Sequence, residues 1–467
     1  MGNGGDPMKV LDMKPTFDNI FKSLKRDNIG RNADVFRFAS ILNAIDDRCS
    51  IAIDGNWGSG KTFFVQQVKM VLDAYNDSID SQNASTRNEI RKLGDAFYQR
   101  EVQKRNADDE CFLQPQVCVY YDAWENDNDD DPVLSLVYSI LCSSNTDFSF
   151  KNRSAVDIGA SLLELFTERN WTQVVQALRG DNPLEQLNKE KNIEQQVKEF
   201  LDALLPERGN RLVVLIDELD RCKPSYAVRV LERIKHYFEN DRITFVFSVN
   251  TKELQHTIRK HYGNDFDGAR YLERFFDLRI SLPEPNLDRY YQCIGFDRAH
   301  NTYDIICKEV IKNYHFELRE IEKYIFINSL VRKTEVYNYY MGDAMQFCFY
   351  YIVPIMIGLK IHDENRYFAF IEGRDSKPML DQSDALSFNY FSDLLNNNET
   401  FDVRQQSMKV VTVEEKLEEV YRVLFIEKQE SDMKERRVGS IVFLPSCRET
   451  ILRITSLLSE YTSLSDA

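Results

Sequence analysis

Ile51-Ala52-Ile53-Asp54-Gly55-Asn56-Trp57-Gly58-Ser59-Gly60-Lys61-Thr62 decides how this chain is read. From Gly55 onward it follows G-x-x-x-x-G-K-[ST], the pattern of a phosphate-binding loop. Three glycines let the backbone double back with its N–H groups aimed inward, where they can cradle phosphate oxygens. Lys61 can neutralise the β- and γ-phosphates, and the Thr62 hydroxyl can ligate Mg²⁺. The loop then opens a helix whose positive end faces the same anion. With Gly at roughly 7% of residues, such a pattern arises by accident in roughly one or two chains of this size per hundred. The flanks make accident rarer still. Cys49 to Asp54 reads as a short apolar strand, and Phe64, Val68, Val71, Leu72 and Tyr75 follow at helical spacing. The candidate nucleotide contacts are therefore Gly55, Asn56, Trp57, Gly58, Ser59, Gly60, Lys61, Thr62 and Phe63.

A second half of the site is expected at Arg211-Leu212-Val213-Val214-Leu215-Ile216-Asp217-Glu218. A continuous apolar run suits a parallel strand covered by helices on both faces. At its tip, Asp217 would hold Mg²⁺ through water and Glu218 would act as general base on the attacking water. The next strand, Ile243 to Val249, ends at Asn250, which can orient that water or simply cap the following helix. Phosphoryl transfer also gains from a cation at the γ-phosphate. Arg270 and Arg274, in Gly268 to Phe276, are the candidates, and in an oligomer either could reach a neighbour's nucleotide.

Further strands are expected at Gln116–Tyr121 and Phe276–Leu282, alternating with helices. That order predicts an α/β fold: a three-layer P-loop core with a parallel sheet of about five strands. A helical lid and a mostly helical C-terminal domain would follow it. The boundaries read as a disordered lead-in at 1–14, a core at 15–283, a lid at 284–345 and the C-terminal domain at 346–467. Within the core, helical insertions are expected at about 76–110 and 145–205. The turn Asp27-Asn28-Ile29-Gly30-Arg31-Asn32 precedes a helical stripe that can fold over an adenine, so Gly30 and Arg31 join the candidate contacts.

Composition narrows the function. The chain has 467 residues and a net charge of −16, which disfavours a nucleic-acid coat with its basic footprint. Nine cysteines are scattered without a C-x-x-C pair, as expected of reduced thiols in a cytoplasmic protein. No secretory leader is read at the N-terminus. The longest apolar run, Phe347 to Leu359, is too short to span a bilayer and reads as a buried helix. Asp402 with Glu414-Glu415-Lys416 loosely suggests a metal-dependent nuclease, but a charged helix face explains the same letters.

These pieces together resemble the KAP P-loop NTPases, an additional-strand ATPase class related to the AAA and STAND ATPases. The resemblance lies in Asn28–Asn32, Gly55–Thr62 and Tyr121-Asp122-Ala123-Trp124-Glu125. It continues in Ile216-Asp217-Glu218-Leu219-Asp220-Arg221-Cys222, Tyr271–Arg274 and Glu317–Tyr324, over roughly residues 15 to 330. It implies ATP and Mg²⁺ as cofactors, Asp220 and Arg221 beside the nucleotide or at a subunit interface, and Arg319 as a lid arginine sensing the γ-phosphate. It also implies a homo-oligomer and a switch in bacterial defence against phage, acting on a partner effector. The alternative is a nucleotide-gated scaffold with negligible turnover. Two departures stand out. Family members often carry Asp where Glu218 stands, and many have transmembrane helices between the two nucleotide motifs, where this chain is polar.

Overall fold

The computed structural model describes residues 14–79, 82–105, 113–129, 131–143, 195, 197–202, 204–205, 209–238, 240–296, 302–335, 342–386, 390–396, 400–402, 407–409, 412–427 and 435–456. The expected lead-in lies outside them except for Lys14, as does nearly all of the expected insertion at 145–205. The chain divides into two compact units, residues 12–290 and residues 291–467 with 1–11.

In the first unit five strands form one parallel sheet. They are β1 (Cys49–Asp54), β2 (Gln116–Asp122), β3 (Arg211–Asp217), β4 (Ile243–Val249) and β5 (Leu278–Ser281), in the order β2-β3-β4-β1-β5. Every residue of β3 and β4 is buried, which is the physical origin of their unbroken apolar sequence. Register places Asp217 opposite Ser248 and Asp54 opposite Val249, so these strands end level. Because β4 separates β1 from β3, the loop leaving β1 and the acids leaving β3 flank the β4 tip. The fifth strand is shorter than its sequence suggests. It starts at Leu278, while Phe276 packs its ring 5.2 Å from that of Phe247.

Helices complete the layers. One group gathers on α3 (Lys61–Ala74), namely α1 (Phe17–Arg26), α2 (Asn32–Asn43) and α4 (Ala84–Arg105). The rings of Phe38 and Phe64 meet there at 5.9 Å. A second group, α5 (Pro132–Ser143), α6 (Pro224–Tyr237) and α7 (Thr251–Tyr262), shares a core with the sheet through Leu136, Tyr226, Leu231 and Leu254 against Val214, Ile216 and Phe245. A short helix, α8 (Gly268–Leu272), leads into β5, and α9 (Leu287–Ile294) follows it.

The second unit is mainly helical. It holds α10 (Thr302–Asn313), α11 (Leu318–Glu335) and a 20-residue helical stretch, Asp343–His362, together with the hairpins Thr400–Asp402/Ser407–Lys409 and Arg436–Val438/Ile441–Phe443. That stretch is longer than its apolar run because polar residues extend it at both ends. By length and composition it could cross a membrane, yet 72% of its apolar window is buried within the protein. A π-turn at Cys348–Ile352 precedes Pro354, whose ring nitrogen cannot donate to the carbonyl four residues back. Gly358 lets this helix approach α10 closely, since a Cβ there would stand 2.4 Å from Val310 Cγ1. Gly358→Ala is accordingly expected to destabilise the protein by about 1–3 kcal/mol through overpacking, read as a lowered melting temperature.

Candidate nucleotide site

The phosphate loop turns at two glycines in the left-handed backbone that favours this residue, Gly58 at φ 86 and Gly60 at φ 89. Ser59 N–H turns back to donate to the Asn56 carbonyl at 3.3 Å. Gly60 then caps α3, whose first N–H groups have no partner within the helix. A Cβ on Gly55 would stand 2.8 Å from Ser59 Oγ, a hydroxyl buried without a hydrogen-bond partner. A concave cradle with orphaned donors at a helix N-terminus fits a phosphate chain. Phe63 is buried in the core, so only its backbone can face a ligand.

Lys61 is buried and folded back onto its own loop. Its Nζ donates to the carbonyls of Gly55 at 2.8 Å and Asn56 at 3.1 Å. Burial lowers its pKa despite the opposing charges of Asp220, Asp217 and Glu218. Those three carboxylates therefore lie close enough to act on the lysine through their charge.

Asp217 is almost wholly buried at the β3 tip, and burial raises its pKa. It accepts from the Tyr120 hydroxyl at 3.1 Å and from the Glu218 N–H at 3.0 Å, and the nearby hydroxyls of Thr62 and Ser248 oppose the rise. The two candidate Mg²⁺ ligands, Thr62 and Asp217, thus lie near one another. A hydroxyl and a carboxylate leave most positions of an octahedral ion to phosphate and water, the usual arrangement for Mg²⁺. Among the described residues no cluster of three or more His, Cys, Asp or Glu forms any other metal site.

Glu218 has φ 60, a left-handed conformation that is strained for a residue with a side chain. Its Oε2 meets Arg221 Nε at 2.5 Å. Burial and the neighbouring Asp217 push its carboxyl up to about 7, with Arg221 opposing. Asn250 stands at the β4 tip between the two halves of the site. Its side-chain oxygen caps α7, accepting from Lys252 N at 3.1 Å and Glu253 N at 3.3 Å.

Arg31 is 1% exposed and donates from Nη1 to the Ser59 carbonyl at 2.9 Å, so it braces the loop's backbone. Gly30 takes φ 69 against Asn286, where a Cβ would lie 2.5 Å from that residue's Cβ. Arg270 and Arg274 are exposed in and just after α8. They precede Asp277, whose N–H bonds the Ser50 carbonyl where β1 begins. Both arginines thus lie at the end of the sheet where strands start, apart from Lys61 of the same chain. Arg319 is exposed at the start of α11 in the other unit.

Other participants escaped the sequence reading. Asp54 accepts from Thr251 N at 2.9 Å, Thr251 Oγ1 at 2.8 Å and Arg279 Nη2 at 2.6 Å, which links the root of the loop to β4 and β5. Tyr120 donates its hydroxyl to Asp217, and Ser248 stands opposite Asp217 on β4. Strand alternation offers the only hint of these residues, because each sits within two positions of a tip already identified. Of the candidate nuclease residues, the side chain of Asp402 lies outside the described residues. Glu415 serves the capping box of the helix Val413–Tyr421, and Lys416 pairs with Glu419 at 3.0 Å.

A parallel sheet with a glycine cradle on β1 and an acid pair on β3, separated by β4, defines a P-loop nucleoside triphosphatase. Residues 34–294, more than half of the chain, match the KAP family P-loop domain, and the chain belongs to that family. It is also similar to the Phage T7 exclusion protein of Escherichia coli, at 29% identity over 75 residues. That match spans 16% of this chain and only 10% of the relative. Two solved structures are similar in part. The Aeropyrum pernix ORC2 protein (ADPNP-ADP complexes) has 11% identity and a TM-score of 0.29, covering 74% of this chain and 77% of that one. C. elegans PCH-2 has 10% identity and a TM-score of 0.23, covering 70% and 67%. Scores this low leave the fold to rest on the sheet described above.

Proposed function

We propose that the chain is a Mg²⁺-dependent ATPase acting as a molecular switch in bacterial defence against phage, in the cytoplasm and with a partner effector. The observation that carries the hydrolytic part is the convergence of Lys61, Thr62, Asp217 and Glu218 on one cradle. When bound, Mg²⁺ would neutralise charge that develops on the phosphates. The chain's own groups do the rest. Lys61 would leave the Gly55 and Asn56 carbonyls for the phosphates, Thr62 would hold the ion directly and Asp217 through water, and Glu218 would take a proton from the attacking water. Arg270 and Arg274 are exposed at the other end of the sheet and would serve a neighbour's nucleotide in a homo-oligomer. The partial likeness to the Phage T7 exclusion protein supports the defence role. Phosphate release by the purified chain, with Mg²⁺ or with chelator, tests the hydrolysis; no Mg²⁺-dependent release refutes it.

The pairing of Glu218 with Arg221 favours one other reading, a nucleotide-gated scaffold with negligible turnover. Single-turnover assays separate the two, since ATP that remains intact on the protein for hours supports the scaffold.

The pH profile gives a further test. In the nucleotide-free protein Glu218 is protonated below about 7 and cannot accept a proton. Since kcat/KM reports the free enzyme, it is expected to climb through a limb centred near that pH and level off above it. Glu218→Gln should remove the limb, and a wild-type profile without one contradicts the assignment of the base.

A further inference from the structure

We infer that Arg221 is a positioning residue: held between the indoles of Trp57 and Trp124, it aims the Glu218 carboxylate and links that aim to the phosphate loop. The inference rests on the nucleotide-site reading above and assigns Arg221, Trp57 and Trp124 a role that reading does not give them.

Four contacts carry the argument. The Arg221 guanidinium lies 5.8 Å from the Trp57 ring centroid and 5.7 Å from that of Trp124. Its Nε grips Glu218 Oε2 at 2.5 Å. The Trp57 indole N–H donates to Asp220 Oδ2 at 2.6 Å, and Asp220 is 5% exposed. Trp57 and Trp124 are themselves 47% and 53% exposed, surface that a stack on a planar cation helps to satisfy.

These residues come from three places: the phosphate loop, the turn after β2 and the turn after β3. Glu218 sits in a strained left-handed conformation, so its own backbone does not provide a relaxed base position. The bond from Arg221, three residues on, fixes where the carboxylate points. Trp57 adjoins Asn56, whose carbonyl now holds Lys61. When phosphates draw Lys61 off that carbonyl, the loop shifts beneath Trp57 and the stack on Arg221 changes with it. Occupancy of the cradle is thereby transmitted to the base.

The test uses the full chain in two arms. In a Trp57→Phe/Trp171→Phe background, a ring stays on Arg221 and Trp124 is the sole indole. MgATP is expected to change Trp124 emission there and to leave it unchanged once Arg221→Ala is added, while calorimetry still detects bound ATP. In the otherwise wild-type chain, Arg221→Ala is expected to lower kcat about 10- to 100-fold at constant KM, the cost of a misplaced catalytic group. Arg221→Lys should recover only part of the rate, because an ammonium lacks the planar stack. A Trp124 response that survives Arg221→Ala, or an unchanged kcat, overturns the inference. A wild-type chain that binds no ATP instead overturns the nucleotide reading beneath it. If ATP binds without turnover, the emission arm alone decides.

Discussion

Glu218→Gln is expected to lower kcat by about 10²- to 10⁴-fold while ATP still binds, the loss typical of removing a positioned base. Glutamine keeps the shape of the side chain and a hydrogen-bonding oxygen for Arg221, but it cannot take a proton. The same substitution should affect stability in the opposite sense. The Glu218 carboxyl is raised to about 7 in the fold, so its contribution to stability is complete below its unfolded value and is lost as pH rises through about 7. Above that pH a neutral side chain relieves the unfavourable charge beside Asp217. Glu218→Gln should therefore melt higher than wild type in alkaline buffer, with the gap closing toward acid pH. A variant that hydrolyses ATP at the wild-type rate would remove Glu218 from the chemistry.

Lys61→Ala is the second large effect. The ammonium is buried within the field of Asp217, Glu218 and Asp220. Deleting it removes the cation that would meet the β- and γ-phosphates and leaves the acids facing one another. Charge-assisted hydrogen bonds are each worth about 1.5–3 kcal/mol, so ATP affinity should fall by about 10²-fold or more, measurable by titration calorimetry. Hydrolysis should vanish with binding. The unliganded variant should also be stabilised by mild acid more than wild type is, because protonating one carboxylate relieves the repulsion. Retained affinity would place the nucleotide elsewhere.

Much of this architecture was legible because its determinants are local. The β3 and β4 runs are continuously apolar since helices cover both sheet faces, and the glycine pattern is dictated by the left-handed turns at Gly58 and Gly60. The nearness of Thr62 to Asp217 followed from the motifs rather than from any sequence neighbour. What stayed hidden depends on partners brought together by folding. Arg31 reads as a ligand contact in a linear sequence, and the letters alone do not name the Ser59 carbonyl as the partner of its guanidinium. Nothing local links Asp54 to Arg279, 225 residues away. The location of Arg270 and Arg274 could have been deduced. In a parallel sheet each crossover returns the chain to the end where strands begin, so residues just before β5 cannot lie beside the cradle of their own chain. The stack of Trp57, Arg221 and Trp124 needed three separate turns to converge, and no periodicity marks it.

The most direct measurement of the central claim is a crystal structure of the Glu218→Gln chain with MgATP. It should show the triphosphate in the Gly55–Thr62 cradle, with Lys61 Nζ moved from the Gly55 and Asn56 carbonyls onto phosphate oxygens. Mg²⁺ should be ligated by Thr62 Oγ1, with Asp217 beside it. Nucleotide bound at another surface, or Lys61 still on its own loop beneath a bound triphosphate, would contradict the account.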